Sequence, residues 1–360
     1  AARIRDHLVA VLATLAASDD PGTGIASAIV PAPELPRPFA ARPRTGSGRP
    51  ADALELELAN VVAESLRLPG VGVDDDLLEL GGSSIWALAL ATRVEARFGR
   101  RLPLAALLES RTVASLAAVL RREVALPESP LVPIRSGGRK APFFCVHPAG
   151  GNVLAYAGLA RALDPERPFW AFQARGVSGG SAPAATIEEM AADYLDLART
   201  VRPGTRLLLG GWSFGGLVAF EMARQVVASG GPVPGLVILD TPSPSLPLDA
   251  TGVPTDDAGW ILEFVRIAAT LAGRTPPLAR RDLEGLEGEA LFRETIRRLE
   301  GAGLAPPHAP IGHLRGVVEV FRANARAREA YARPPAELAW RGRAALLRSA
   351  DHAGDLGWPD

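Results

Sequence analysis

The sequence has one cysteine, no long apolar run and almost no net charge, and each absence excludes a class of protein. A lone cysteine, Cys145, cannot form an internal disulfide and fits a reducing cytoplasm. No stretch approaches the roughly 18 uncharged apolar residues that a membrane-spanning helix requires. The formal net charge of −1 provides no basic field for nucleic acid or an anionic membrane. We therefore expect a cytoplasmic protein that binds neither nucleic acid nor membranes, and we predict no metal site.

The pattern of the 360 residues changes along the chain. Residues 1–50 show a weak helical pattern and then a stretch rich in Pro, Gly, Ser and Arg, which predicts a weakly structured segment that is either a linker or the remnant of a preceding domain. In residues 52–122, apolar residues recur every three or four positions and predict a small bundle of four helices. Residues 123–142 contain four prolines and two glycines and are predicted to be a second linker.

From residue 143 to residue 360, short apolar runs alternate with helical patterns. This alternation predicts a mostly parallel sheet with helices on both faces. The predicted strands lie at 143–146, 169–174, 207–209, 236–239 and 343–347. A Pro-rich insertion at about 243–333 interrupts the alternation with helical patterns near 256–272, 282–301 and 311–331. We expect this helical insertion to act as a lid over the site.

The most informative motif is Gly-x-Ser-x-Gly at residues 211–215, between an apolar run and an amphipathic helix. This context is typical of a nucleophile elbow, in which Ser213 sits on a turn with no room for side chains at Gly211 and Gly215. The beginning of the helix supplies backbone donors and a favourable dipole for an oxyanion. Ser213 is therefore predicted to be the nucleophile of an acyl-transfer site, with the Phe214 N–H as one oxyanion donor.

Two further segments supply candidate partners for Ser213. Asp240 ends a predicted strand at the carboxyl edge of the sheet, where it can act as the triad acid or cap the next turn. The small-residue loop 147–151 leaves the first strand of this domain and offers the Ala149 N–H as a second oxyanion donor. His147 precedes Ser213 in the chain, whereas the base comes last in hydrolases of this type, so we expect His147 to shape this loop.

The sequence contains no clear candidate for the general base. His352 follows the last predicted strand, but a simple loop histidine is the preferred interpretation. The sheet needs one more strand before the loop that normally carries the base, and the chain stops at Asp360. We expect the base to lie beyond a truncation of the chain.

A second constellation is Asp-Leu-Leu-Glu-Leu-Gly-Gly-Ser-Ser-Ile at residues 76–85, at the start of a predicted helix. The two glycines open the backbone, and the serine hydroxyl sits at the positive end of the helix, which suits attachment of a phosphate-linked group. A serine in this place can equally be a simple N-cap. The residues alone leave both interpretations open.

These motifs resemble two families that follow one another in nonribosomal peptide synthetases. Residues 52–122 resemble the peptidyl carrier domain, whose signature matches residues 76–85. The resemblance implies that Ser84 carries 4′-phosphopantetheine, attached by a phosphopantetheinyl transferase. Residues 131–360 resemble the type I thioesterase domain, an α/β-hydrolase, through Phe-Phe-Cys-Val-His-Pro-Ala-Gly-Gly, Gly-Trp-Ser-Phe-Gly-Gly and Leu-Asp-Thr-Pro.

The resemblance implies a carrier–thioesterase pair that accepts a peptidyl or acyl thioester from upstream synthetase domains. Ser213 would form an acyl-enzyme, which hydrolysis or cyclisation would release. The thioesterase domain is predicted at 143–360, without its last strand and its catalytic histidine. Two other interpretations remain open: a non-catalytic carrier with a degenerate hydrolase domain, and a free-standing serine esterase.

Overall fold

The structure is a computed structural model. It describes residues 24–29, 48, 50, 53–77, 79–80, 84–98, 102, 110–121, 129–135, 137–153, 156, 159–160, 163–177, 181–246, 254–271, 274–302, 304–305, 311–331, 343–348, 356 and 358. These residues belong to two compact units. The first unit lies within 1–35, 130–253 and 319–360, and the second lies within 36–129 and 254–318.

Strands and helices alternate through most of the described chain. In chain order they are β1 (Gly24–Ile29), α1 (Ala53–Leu66), α2 (Ser84–Phe98), α3 (Val113–Arg121), β2 (Leu131–Arg135), β3 (Phe143–Val146), β4 (Phe169–Phe172), α4 (Ile187–Val201), β5 (Leu208–Trp212), α5 (Phe214–Ala228), β6 (Gly235–Leu239), α6 (Asp257–Leu271), α7 (Gly288–Gly301), α8 (Ile311–Ala330) and β7 (Arg343–Arg348). A short 3₁₀ turn at Arg280–Asp282 precedes α7.

The strands of the first unit form one seven-stranded sheet in the order β1-β7-β6-β5-β3-β4-β2. Every neighbouring pair is parallel except β2 with β4, which is antiparallel. Parallel neighbours end at the same edge, so the loops that follow β3, β5 and β6 leave the sheet side by side. The mostly parallel sheet confirms the predicted fold class, and this carboxyl edge is where the predicted site residues lie.

Helices α4 and α5 pack against the sheet and against each other because their apolar sides match its buried strands. Helix α5 is buried along nearly its whole length, including Phe220 and Met222, and α4 buries Ile187 and Tyr194. These side chains join strand residues such as Phe172 in one apolar core. Burial of this apolar surface stabilises the sheet. The ends of the strands are therefore held in place, and so are the starts of the loops that follow them.

Strand β2 lies in the stretch that the sequence predicted to be a linker, so that part of the prediction is wrong. Residues Leu131–Arg135 pair with β4 at the edge of the sheet, and the pairing shifts register between Pro133 and Arg135. An edge strand tolerates proline because the missing N–H can face away from the neighbouring strand. The prolines that suggested a linker therefore accompany an edge strand.

Strand β1 is a second strand that the sequence did not predict, because residues 1–50 were expected to be weakly structured. It pairs in parallel with β7, with Gly24 opposite Arg343. Its two isoleucines are β-branched and suit an extended chain. Without it, β7 would present a row of unpaired backbone groups, which favours the addition of another strand.

The second unit contains the carrier helices α1, α2 and α3 and helices α6 and α7 of the predicted insertion. These elements agree with the predicted carrier bundle and helical insertion. Helix α3 begins with a capping interaction, in which the Thr112 hydroxyl accepts a hydrogen bond from the Ser115 N–H at 3.2 Å. Helix α8 starts in the second unit and ends in the first.

Candidate active site and carrier attachment site

Ser213 occupies a sharp turn between β5 and α5. Its backbone has φ of +54°, a left-handed conformation that a non-glycine residue rarely adopts. The Ser213 N–H bonds to the Leu239 carbonyl oxygen at 2.9 Å, which holds the turn against the end of β6. Ser213 is the N-cap residue of α5, yet its side chain makes no capping hydrogen bond. The hydroxyl therefore does not cap the helix. The strained turn places Ser213 just past the end of β5, where its hydroxyl can meet a substrate.

Two glycines of the motif are required by close backbone contacts. A Cβ on Gly211 would overlap the carbonyl of Gly215, and a Cβ on Gly215 would overlap the carbonyl oxygen of Val146 on the neighbouring strand. These obstacles are backbone atoms, which cannot rotate away. The elbow thus brings the first turn of α5 directly against the end of β3. The lack of room for side chains at both glycines agrees with the prediction from the motif.

Asp240 occupies the corresponding position at the end of β6. Its backbone also has a left-handed φ, +48°, and its N–H bonds to the Leu347 carbonyl of β7 at 2.6 Å. The Thr241 hydroxyl lies 2.9 Å from the carbonyl oxygens of both Ser213 and Leu239. The structure therefore brings Ser213 and Asp240 to adjacent strand ends and ties the two turns together by hydrogen bonds.

The loop after β3 has its peptide planes fixed by hydrogen bonds. The Pro148 carbonyl accepts from the Gly151 N–H at 2.8 Å and lies 2.9 Å from Nδ1 of His147. In a trans peptide the carbonyl and the next N–H point in opposite directions. Because the Pro148 carbonyl is held by the loop, the Ala149 N–H faces away from these partners, as an oxyanion donor would need to do.

Asn324 of α8 is a positioning group that the sequence analysis missed. It is 1% exposed, and its Nδ2 donates to the Ala149 carbonyl oxygen at 2.8 Å. Val320, one turn earlier, lies where a Cβ on Gly151 would be, and Gly151 has φ of +78°. No local motif marks an asparagine in a helix as the partner of a loop 175 residues earlier, so this contact could not be predicted from the sequence.

His147 is completely buried and belongs to the scaffold of this loop. Burial lowers the pKa of His147 to about 4, so the ring is neutral near pH 7 and carries one N–H. Nδ1 faces a carbonyl that can only accept, so Nδ1 holds that proton, and Nε2 lies 3.0 Å from the Tyr194 hydroxyl. The ring also stacks on Phe214 at 5.9 Å. With both nitrogen atoms engaged, His147 has none to offer as a base, which agrees with its predicted role.

The buried ring makes thermodynamic stability depend on pH. The folded pKa of His147, about 4, lies below the ordinary value of 6.5, so below pH 6.5 the unfolded chain binds more protons than the folded one. The associated stability is complete above pH 6.5 and is lost as the pH falls toward 4. We expect the free energy of unfolding of His147→Asn to fall by about 3 kcal/mol less than that of wild type between pH 7 and pH 4. Urea titrations at both pH values measure this difference, and equal losses in the two proteins would contradict it.

Cys145 in β3 is buried, and burial raises the pKa of its thiol to about 12. A thiol with this pKa is not ionised near neutral pH and is a poor nucleophile. The structure supports its interpretation as a small core residue.

The carrier motif ends at the start of a long helix. Helix α2 begins at Ser84 and contains 15 residues, so the first N–H groups of the helix have no intrahelical partner. Asp76, the first residue of the motif, forms an ion pair with Arg111. Trp86, in the first turn of α2, donates from Nε1 to the Ser65 hydroxyl of α1 at 2.7 Å. A helix start anchored through Trp86 fits a phosphodiester on Ser84, because backbone N–H groups at the start of a helix can bind a phosphate.

A serine on a strained strand-to-helix turn, beside an aspartate at the end of the next strand, defines an α/β-hydrolase site for acyl transfer. The family model for the thioesterase domain matches residues 141–359. The chain therefore belongs to the thioesterase domain family, and this domain is an enzyme of the serine thioesterase class. The model described as the phosphopantetheine attachment site matches residues 57–120, which identifies the first helical domain as a carrier.

Several known proteins resemble the chain over much of its length. The dimodular nonribosomal peptide synthase of Bacillus subtilis (strain 168) is 41% identical over 218 residues, covering 59% of this chain and 9% of the relative. Indigoidine synthase of Streptomyces lavendulae is 34% identical over 272 residues, covering 74% and 20%. The crystal structure of holo-AB3403, a four-domain nonribosomal peptide synthetase bound to AMP and glycine, has a TM-score of 0.59 and 30% identity, covering 86% of this chain and 23% of that one. The chain thus spans less than a quarter of each of these proteins.

Within the part of the chain that the structure describes, no helix is long and apolar enough to cross a bilayer. The same residues contain no group of three or more His, Cys, Asp and Glu side chains that could hold a metal ion. His352, the histidine weighed as a base from the sequence, lies outside the described residues.

Proposed function

We propose that this chain is the carrier–thioesterase end of a nonribosomal peptide assembly line and releases the finished acyl or peptidyl chain. The observation that carries the proposal is the presence, in one chain and in this order, of a phosphopantetheine attachment domain and a thioesterase domain. A release step needs a site for a tethered thioester and a nucleophile that can accept its acyl group. One protein then supplies both.

In the proposed reaction, Ser213 Oγ attacks the carbonyl carbon of a thioester substrate while the general base takes the hydroxyl proton. The carbonyl π electrons move to oxygen, and the N–H groups of Ala149 and Phe214 bind the resulting oxyanion at the start of α5. The tetrahedral intermediate collapses, the C–S bond breaks, and the general base returns the proton to the leaving thiolate. Water, or an amine or hydroxyl of the chain itself, then attacks the Ser213 ester and frees the product as an acid or a ring.

Asp240 is proposed as the acid that orients the general base and stabilises its protonated form. Its place at the end of β6, one strand from Ser213, supports this role. We assign no base among the described residues, since His147 is engaged through both ring nitrogens.

Ser84 is the proposed attachment residue for 4′-phosphopantetheine, which supplies the thiol that presents the acyl group. The start of α2 would hold its phosphate. We further propose that a phosphopantetheinyl transferase, upstream synthetase domains and a reducing cytoplasm complete the setting. Because carrier and thioesterase share a chain, the tethered substrate meets the site at an effective concentration of about millimolar.

Acyl transfer between the two serines tests the proposal directly. The full chain is treated with a broad-specificity phosphopantetheinyl transferase and an acyl-coenzyme A, and peptides are mapped by mass at successive times. We expect the modification on the Ser84 peptide first and the acyl group on the Ser213 peptide next. An unmodified carrier would contradict the assembly-line assignment, whereas a loaded carrier that never transfers would favour the non-catalytic scaffold.

A further inference from the structure

The hydroxyl of Tyr156 connects the two strand ends that carry the oxyanion loop and the nucleophile. It donates to the Val146 carbonyl oxygen at 2.6 Å and accepts from the Trp212 N–H at 3.2 Å. Val146 is the last residue of β3, and Trp212 is the last residue of β5. The Tyr156 side chain is 3% exposed, so one buried group bonds both strands at the point where they end.

The chemistry of the three groups fixes the direction of both hydrogen bonds. A carbonyl oxygen only accepts and a backbone N–H only donates, so Tyr156 must give its proton to Val146 and use a lone pair for Trp212. Burial raises the pKa of Tyr156 well above its usual value, so the hydroxyl keeps that proton. The ring is held as well, by packing against Phe169 at 6.2 Å between centroids.

The oxyanion loop and the nucleophile directly follow these two strand ends in the chain. His147 comes after Val146 and opens the oxyanion loop, and Ser213 comes after Trp212. The two strands are direct neighbours, with Val146 opposite Gly211. A shift between their last residues would therefore move the loop relative to the elbow, and a misplacement of about 1 Å is enough to lower a rate by about 100-fold.

We propose that Tyr156 is a positioning residue that sets the separation of the two backbone oxyanion donors, Ala149 and Phe214. The inference rests on the proposed function, because it takes those N–H groups as the oxyanion site. In this role Tyr156 acts through the strand ends that its hydroxyl joins. Its hydroxyl should accordingly matter for the acylation step and much less for substrate binding.

The experiment compares Tyr156→Phe with wild type and with Tyr331→Phe in the full chain. Tyr331 is a matched control, because its buried hydroxyl also makes a 2.6 Å hydrogen bond, to Oε2 of Glu221 in the middle of α5. The first readout is acylation of Ser213 by a small acyl thioester, separated into its maximal rate and its half-saturating concentration. The second readout is the hydrogen-exchange rate of the Trp212 amide, which does not depend on catalysis.

For Tyr156→Phe we expect the maximal acylation rate to fall about 10- to 100-fold, with the half-saturating concentration within about 3-fold of wild type. We also expect faster exchange of the Trp212 amide. Tyr331→Phe should change neither. Acylation equal in Tyr156→Phe and Tyr331→Phe would overturn the positioning role while leaving the proposed function intact. If wild type itself does not acylate, the proposed function fails, and unchanged exchange at Trp212 would overturn the Tyr156 bridge separately.

Discussion

With the general base in place, replacing Ser213 with alanine is expected to lower the rate of acyl release by about four orders of magnitude or more. The substitution removes the single oxygen that forms the covalent intermediate, while the oxyanion donors and the substrate-binding surface remain. The backbone strain at φ of +54° should be unchanged, since alanine keeps the Cβ that makes this conformation unfavourable. Thermal unfolding is therefore expected to stay close to that of wild type, and activity loss should not reflect loss of the fold.

The measurement is cleavage of a simple acyl thioester, together with labelling of the active serine by a fluorophosphonate. Ser229→Ala is the matched control, because Ser229 caps the opposite end of the same helix and its hydroxyl bonds to the Val226 carbonyl at 2.9 Å. The control should keep both activities. If Ser213→Ala retained thioester cleavage, another nucleophile would be responsible and the elbow would have only a structural role.

The nucleophile could be predicted from sequence because everything that defines it is local. Gly211, Ser213 and Gly215 lie within five residues, and the contacts that exclude side chains there are made by the turn itself and by its neighbouring strand. The apolar run before the motif and the helix after it are equally local signals. The parallel sheet followed from the same alternation of short strands and helices along the chain.

The supports of the site could not be predicted, because their partners are distant in sequence. Asn324 reaches the Ala149 carbonyl across 175 positions, and Tyr156 reaches the Trp212 N–H across 56. Neither residue stands in a pattern that distinguishes it from an ordinary helix or loop residue. The Tyr156 hydrogen bonds depend on how the sheet brings β3 and β5 together. The order of the strands in the sheet cannot be read from a local motif.

The edge strands were missed for a different reason, which is that their sequence signals are ambiguous. Pro133 argues against a central strand, and only the sheet order shows that β2 lies at an edge where proline is permitted. β1 is six residues long, too short for periodicity to distinguish it from a coil in a Pro- and Gly-rich segment. Its pairing with β7 is again a contact between the two ends of the chain.

Replacing Ser84 with alanine is expected to abolish attachment of phosphopantetheine completely. Attachment forms a phosphodiester to the serine hydroxyl, and alanine has no oxygen to form it. The adjacent Ser83 also has a hydroxyl, but the carrier signature places the modified serine at Ser84. Ser83→Ala is therefore the matched control and should lower the yield of modified protein by a few-fold at most.

Intact mass after incubation with coenzyme A and a phosphopantetheinyl transferase measures the difference, and the same samples can be assayed with a free acyl thioester. Because the free substrate bypasses the carrier, Ser84→Ala should cleave it at the wild-type rate even though it cannot be loaded. That combination separates a lost attachment site from a damaged protein, since a damaged carrier helix would also free Trp86 from Ser65 and alter its fluorescence. If Ser84→Ala were modified at Ser83 instead, Ser83 could serve as the attachment residue. The predicted role of the start of α2 would then be contradicted.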